Sequence, residues 1–250
     1  MINTIYIEDE IADHPRTKKL IKRFPSATII SCTRYTEIFN RKSQNFRLQK
    51  KNPALILAKK YKGMVLPTPK HYGIGAKYNY YFSHMLNCIY DCRYCFLQGM
   101  FRSAHYILFV NYEDFIAEIN STLNKHASDN VHFFSGYDCD SLALDSVSNF
   151  ISDFLPFFEN HQNTLIELRT KSTQIKSLLQ RSSISNCIVA FSFTPNEISK
   201  ALEHKTPSVS KRLEAIIKLQ KAGWRIGLRF DPLIYTKTFT KEYKELFDNI

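Results

Sequence analysis

Residues 87–98 read Asn87-Cys88-Ile89-Tyr90-Asp91-Cys92-Arg93-Tyr94-Cys95-Phe96-Leu97-Gln98. Three residues separate the first two cysteines and two separate the next pair, so one loop can wrap three thiolates around a single inorganic centre. Three thiolates hold three irons of a 4Fe–4S cluster and leave the fourth without a protein ligand, free to chelate a small molecule through amino and carboxylate groups. Zinc is the rival. A structural zinc site takes four ligands, and His84 stands four residues before Cys88. A third reading takes Cys92 and Cys95 as a dithiol redox pair, which leaves Cys88 without a part.

Working outward, Tyr78–Leu86 predicts an aromatic strand running straight into the cysteine loop. Beyond it, Asn111–Lys125 predicts a helix capped by Asn111, with acids in its first turn. Strands are predicted at Val131–Ser135, Thr164–Thr170, Cys187–Phe193 and Trp224–Phe230, with helices at Leu142–Phe158, Thr173–Gln180, Ser210–Ala222 and Lys241–Phe247. Gly223 follows the third of these helices, where a C′ glycine belongs. Strands alternating with helices imply βαβ units and a parallel α/β sheet, open or curled into a partial barrel. Reactive groups in such sheets collect at the C-terminal strand ends.

The first third reads as a smaller α/β unit, with strands at Thr4–Ile7 and Ala27–Cys32, an amphipathic stretch from Pro15 to Phe24, and a basic connector over 40–53. Pro67-Thr-Pro69 marks a composition shift. The division expected is a basic α/β domain over 1–77 and a partial barrel over 78–250. After residue 77 the pattern supplies five strands and stops in a helix, so the sequence is expected to be either a fragment or a barrel shortened at its C-terminal end.

The chain has 250 residues, 44% of them hydrophobic and 14% aromatic, which excludes disordered and low-complexity classes. No apolar run is long enough to cross a membrane, and MINTIYIEDE carries acids where a secretory leader needs basic and then apolar residues. A cytoplasmic protein is expected, and a reducing compartment suits six cysteines that form no disulfide framework. Cys32 and Cys187 lie in apolar strand runs and read as core. Residues 1–77 hold 16 Lys and Arg against 5 Asp and Glu, whereas the remainder holds 18 of each sign. A basic segment interleaved with Phe24, Tyr35, Phe39, Phe46 and Tyr61 suggests a footprint for a polyanion, DNA above all.

An aromatic residue before the last cysteine, in a loop at the end of the first strand of a βα series, resembles the radical S-adenosylmethionine (radical SAM) enzymes. More narrowly, Cys88–Phe101 (CIYDCRYCFLQGMF) resembles the spore photoproduct lyase family. Ile5-Tyr-Ile-Glu8, Lys171 in Arg169-Thr-Lys, Ser192 in Phe191-Ser-Phe, and Leu228-Arg-Phe-Asp-Pro232 are similar to landmarks of that family in the same order. The resemblance implies a partial (β/α) TIM-like barrel behind a small N-terminal domain, a 4Fe–4S cluster on Cys88, Cys92 and Cys95, and S-adenosylmethionine on the open iron. It also implies an electron donor such as flavodoxin or ferredoxin. The implied reaction is a carbon–carbon lyase step that begins with a 5′-deoxyadenosyl radical and repairs thymine-dimer-type lesions in DNA. Position by position, it places Tyr94 against the cofactor's adenine, the Ser135-Gly136 backbone around its methionine moiety, and Lys171 on its carboxylate. Ser192 and Asp231 become polar contacts to cofactor or substrate.

Two positions depart from the family pattern. The cysteine that returns a hydrogen atom to the product aligns with Tyr137, and the nearest cysteine is Cys139. The second aromatic of the cysteine loop, a tyrosine in the family, is Phe96. Either Cys139 or Tyr137 is then the candidate for hydrogen return. Other readings remain: a radical SAM enzyme acting on RNA, a nucleotide or a protein, or a zinc-stabilised nucleic-acid-binding module using His84.

Overall fold

The structure, a computed structural model, describes residues 2–70 and 72–250. Its strands are β1 (Thr4–Glu8), β2 (Thr28–Cys32), β3 (Leu55–Ala58), β4 (Leu66–Pro67), β5 (Tyr78–Phe82), β6 (Met85–Leu86) and β7 (Asp91–Cys92). They continue as β8 (Tyr106–Phe109), β9 (Val131–Ser135), β10 (Thr164–Thr170), β11 (Cys187–Ser192), β12 (Glu203–His204) and β13 (Arg225–Arg229). Two larger sheets result, one ordered β2-β1-β3-β8-β6 and the other β13-β11-β10-β9-β5-β4, together with a separate β12-β7 pair.

In the second sheet β5, β9, β10, β11 and β13 are neighbours in chain order and all parallel, while the short β4 pairs antiparallel at the edge. These five are the strands predicted after residue 77. Each of the first four leads to the next through a crossover containing a helix, which is how parallel neighbours must be joined. The register puts Phe82, Ser135, Leu168 and Val189 in one row and Tyr81, Phe134, Glu167 and Ile188 in the next. The first row's face is largely apolar. It packs on Phe115, Phe150, Phe154 and Phe158, with Phe82 stacked on Phe154 at 5.4 Å. The opposite face mixes aromatic and charged residues, and Arg229 forks onto Glu167 through bonds of 3.0 and 2.6 Å. The helix Val209–Lys221 opens with the Ser208 hydroxyl accepting from Lys211 N and closes before Gly223, whose φ of 83° any side chain would resist.

The structure differs from the sequence expectations in four places. Tyr78–Leu86 is not one strand. β5 ends at Phe82, and after Ser83-His84 the chain enters the first sheet, where β6 pairs antiparallel with β8. The expected helix Leu142–Phe158 is two helices, Asp145–Ser148 and Phe150–Glu159, divided at Asn149. That residue takes φ 52°, a conformation asparagine tolerates better than most. Asn111 stands at the start of its helix, Tyr112–Lys125, without capping it. Its amide instead bridges to the Lys60 backbone, accepting from N at 2.9 Å and donating to O at 2.8 Å. Finally, β6 and β8 lie past residue 77 and yet belong to the first sheet, so that position does not separate the sheets. Cys32 and Cys187 are buried, as expected, and among the described residues no helix is long and apolar enough to cross a membrane.

Candidate active site

The C-terminal ends of β9, β10, β11 and β13 open, with the cysteine loop, onto one cavity of about 330 Å³. After β5 the chain forms the cysteine loop, whose base is pinned by Asn87. That residue takes φ 67° and donates its amide to Ser103 O and His105 O at 2.7 and 2.8 Å. Within the loop Cys95 N bonds Cys92 O at 3.0 Å, and all three cysteines line the cavity. On one side the Lys50 ammonium donates to the carbonyls of Cys88 and Tyr90. On the other, β7 pairs with β12, and Arg93 N bonds Leu202 O at 2.8 Å.

Burial pushes the Cys88 thiol well up and Cys92 up to about 12. Such thiols stay protonated unless a metal centre takes the place of the protons. The surroundings suit an iron–sulfur centre: thiol donors of one kind in an apolar pocket with Tyr90 and Ala143. They do not suit zinc held with His84. That imidazole is buried, stacks on Phe150 at 3.9 Å and does not line the cavity that the three cysteines share. Among the described residues no three Cys, His, Asp or Glu side chains converge as a single ion would require.

The other expected residues arrive from separate strand ends. Tyr94, Gly136, Tyr137, Cys139, Lys171, Ser192 and Asp231 all line the cavity. Gly136, at φ 73°, has no room for a side chain, since a Cβ would stand 2.5 Å from Ser141 Oγ. Ser135 is the exception. Its hydroxyl is buried against Ser141 Oγ at 2.7 Å and Glu167 O at 3.1 Å, so it fixes the strand end and leaves only the neighbouring backbone to face the cavity. The Tyr137 ring lies 4.3 Å from Tyr81 and 6.0 Å from Phe96. Cys139 is pushed far up by burial, with Cys88, Asp138 and Asp140 adding to it.

Sequence reasoning missed four contributors. Asp140 lines the cavity but spends its oxygens on Leu142 N, Ala143 N, Thr170 Oγ1 and Lys171 N, at 2.7–2.9 Å. Burial raises its pKa despite those donors. Arg169 also lines the cavity, donates to the Tyr72 hydroxyl and lies 3.6 Å from Asp231. Lys50 comes from what reads as a mere connector. Glu203 sits behind the wall, accepting from the Tyr94 hydroxyl, with Lys171 Nζ 3.9 Å away. A signal for Glu203 existed: Arg212 falls on the stripe of Val209, Ala215, Ile216 and Leu219, and a charge on a buried helix face calls for a buried partner.

Comparison with known proteins agrees with this geometry. A family model described as spore photoproduct lyase matches residues 1–250. The spore photoproduct lyase of Bacillus subtilis (strain 168) is 22% identical over 251 residues, covering 98% of this chain and 72% of that protein. The one from Clostridium acetobutylicum is 23% identical over 169 residues, covering 67% of this chain and 50% of that protein. Among solved structures, a spore photoproduct lyase mutant with bound AdoMet and dinucleoside spore photoproduct superposes with a TM-score of 0.88 at 20% identity. It covers 100% of this chain and 73% of that one. A spore photoproduct lyase complexed with dinucleoside spore photoproduct gives 0.86 at 20% identity, with the same coverage. At such identities the superpositions establish the fold, and the family model establishes the kinship. This chain belongs to the spore photoproduct lyase family.

Proposed function

We propose that this protein is a radical SAM carbon–carbon lyase acting on thymine-dimer-type lesions in DNA. The observation that carries the reading is the convergence of Cys88, Cys92 and Cys95 with Lys171 and Ser192 on one cavity at the ends of parallel strands. In this reading the second sheet is a partial TIM-like barrel of the radical SAM type, and the first sheet, three of whose strands come from the basic residues 1–77, is the core of a small N-terminal domain. When bound, the 4Fe–4S cluster and S-adenosylmethionine supply a 5′-deoxyadenosyl radical able to take a hydrogen atom from the lesion.

The chain's own residues hold and orient. Cys88, Cys92 and Cys95 would carry the cluster. The Lys171 ammonium would meet the cofactor's carboxylate, the Gly136 backbone would hold its methionine moiety, and Tyr94 would take its adenine. Ser192 and Asp231 supply polar contacts from the last two strand ends. Hydrogen return falls to Tyr137 or Cys139, both on the cavity wall. The excess of Lys and Arg over residues 1–77 supports a DNA backbone contact there. A cytoplasmic flavodoxin or ferredoxin would supply electrons.

The test is anaerobic reconstitution followed by S-adenosylmethionine and dithionite. Brown, iron-loaded protein releasing 5′-deoxyadenosine supports the reading, and Cys92→Ala should lose both iron and release. Colourless protein with about one zinc per chain and no cleavage sinks it.

A further inference from the structure

The Glu203 side chain is fully buried and does not reach the cavity, yet five groups face it. Arg212, itself fully buried, and Ser199 Oγ at 2.9 Å meet Oε2. The Tyr94 hydroxyl and Thr194 Oγ1, the latter at 3.2 Å, donate to Oε1, and Lys171 Nζ stands 3.9 Å from the same oxygen. Arg212 extends the network by donating to Ser192 O at 3.0 Å. The backbone of Glu203 pairs with Cys92. One carboxylate therefore touches or adjoins a cysteine of the loop, the aromatic beside it, and groups from two further strand ends.

The charges are matched for a purpose that packing alone does not need. Burial works against an ionised Glu203, but Arg212, Lys171 and the Tyr94 hydroxyl outweigh it and hold its pKa below the usual carboxylate value. Glu203 and Arg212 neutralise one another, which leaves the Lys171 ammonium without a full counter-charge on the cavity wall it shares with Lys50 and Arg169. At 3.9 Å Lys171 is attracted without being hydrogen-bonded, so it remains available to an anion arriving from the cavity side. Its ammonium also lies 5.6 Å from the Tyr94 ring centre, so the lysine and the aromatic are placed as a unit.

We propose that Glu203 is the positioning residue of this site, setting Tyr94, Lys171 and the Cys92 segment from behind the cavity wall. The proposal rests on the reading of the cavity as an S-adenosylmethionine site. Glu203→Gln keeps the shape and removes the charge, so Arg212 and Lys171 lose their common anion and Tyr94 loses a charged acceptor.

Two measurements test it. In iron-free protein, iodoacetamide alkylation of each cysteine is followed by mass spectrometry. Cys92 should react about tenfold faster in Glu203→Gln than in wild type, while buried Cys187 keeps its protection. In reconstituted protein, equilibrium dialysis of S-adenosylmethionine should give a Kd raised about tenfold with iron content unchanged. Tyr94→Phe, which leaves the ion pair whole, should raise the Kd about fivefold without altering thermal unfolding. Cys92 and Cys187 exposed together in Glu203→Gln, or unchanged alkylation and unchanged Kd, would overturn the proposal. Wild-type protein that loads iron and binds no S-adenosylmethionine defeats the cofactor reading instead, and the alkylation result then stands alone.

Discussion

The Lys50 ammonium lies 3.3 Å from the carbonyl oxygen of Cys88, joining the basic first third to the cysteine loop. It makes a second 3.3 Å contact with Tyr90 O, and Asp91 stands 3.8 Å away. A positive charge held against a metal-binding loop favours the more negative, reduced state of whatever the loop carries. Lys50→Met should lower the midpoint potential of the reconstituted cluster by tens of millivolts, read by an EPR-monitored redox titration. An unchanged potential at full iron content would reduce Lys50 to a purely structural strut.

Hydrogen return separates Cys139 from Tyr137. Cys139→Ala and Tyr137→Phe should each leave 5′-deoxyadenosine release within about twofold of wild type, because neither holds the cluster. The one that returns the hydrogen should divert the product to by-products when replaced. Chromatography of the products formed from a dinucleotide lesion decides between them, and a normal product from both variants removes both from the mechanism.

Acid should destabilise the fold through buried histidines. His84 is depressed to about 3 and His132 to about 4, both first by burial, with Arg229 adding to the effect on His132. Between those values and the ordinary 6.5 the unfolded chain binds more protons than the folded one, so stability falls as the pH drops through that window. From pH 7 to pH 5 the loss at His84 is about 2 kcal/mol. Urea midpoints should follow this trend, and His84→Phe, which keeps the stack on Phe150, should flatten it. Equal slopes for the two proteins would contradict the assignment.

Gly136→Ala forces a Cβ towards Ser141, 2.5 Å from its hydroxyl and 2.9 Å from its backbone nitrogen, at a positive φ. A stability loss of about 1–3 kcal/mol by urea unfolding is expected. Binding of S-adenosylmethionine should weaken more than tenfold, because the loop that moves is cavity wall. Wild-type affinity in this variant would place the cofactor elsewhere.

The second sheet was legible because its central strands are buried on both faces and rich in apolar residues, Cys187–Phe191 without interruption and Val131–Phe134 broken only by His132, with helices between them. The grouping of three cysteines in one loop was legible from their spacing, while the choice of iron over zinc and the parts given to Lys171, Ser192 and Asp231 came from the family resemblance. What escaped depends on pairing between distant segments. β8 follows the cysteine loop and belongs to a sheet begun a hundred positions earlier, which no local period reveals. Ser135 carries the right residue type in the right place, but the alternation of the strand turns its side chain away. Lys50 looks like any solvated lysine in a basic run until the loop it holds is in view.

The pairing of β7 with β12 has a bearing on how the protein is made. Asp91–Cys92 meets Glu203–His204, so a nascent chain carries all three cysteines well before it carries the strand that shapes them. Closing so long a stretch is entropically costly and is rewarded only when the partner strand arrives, which places the ordering of the cysteine loop late in folding. Iron delivery is then a step for chains already extended past Glu203, and a ribosome-bound intermediate ending before Glu203 should take up metal poorly however intact its cysteines.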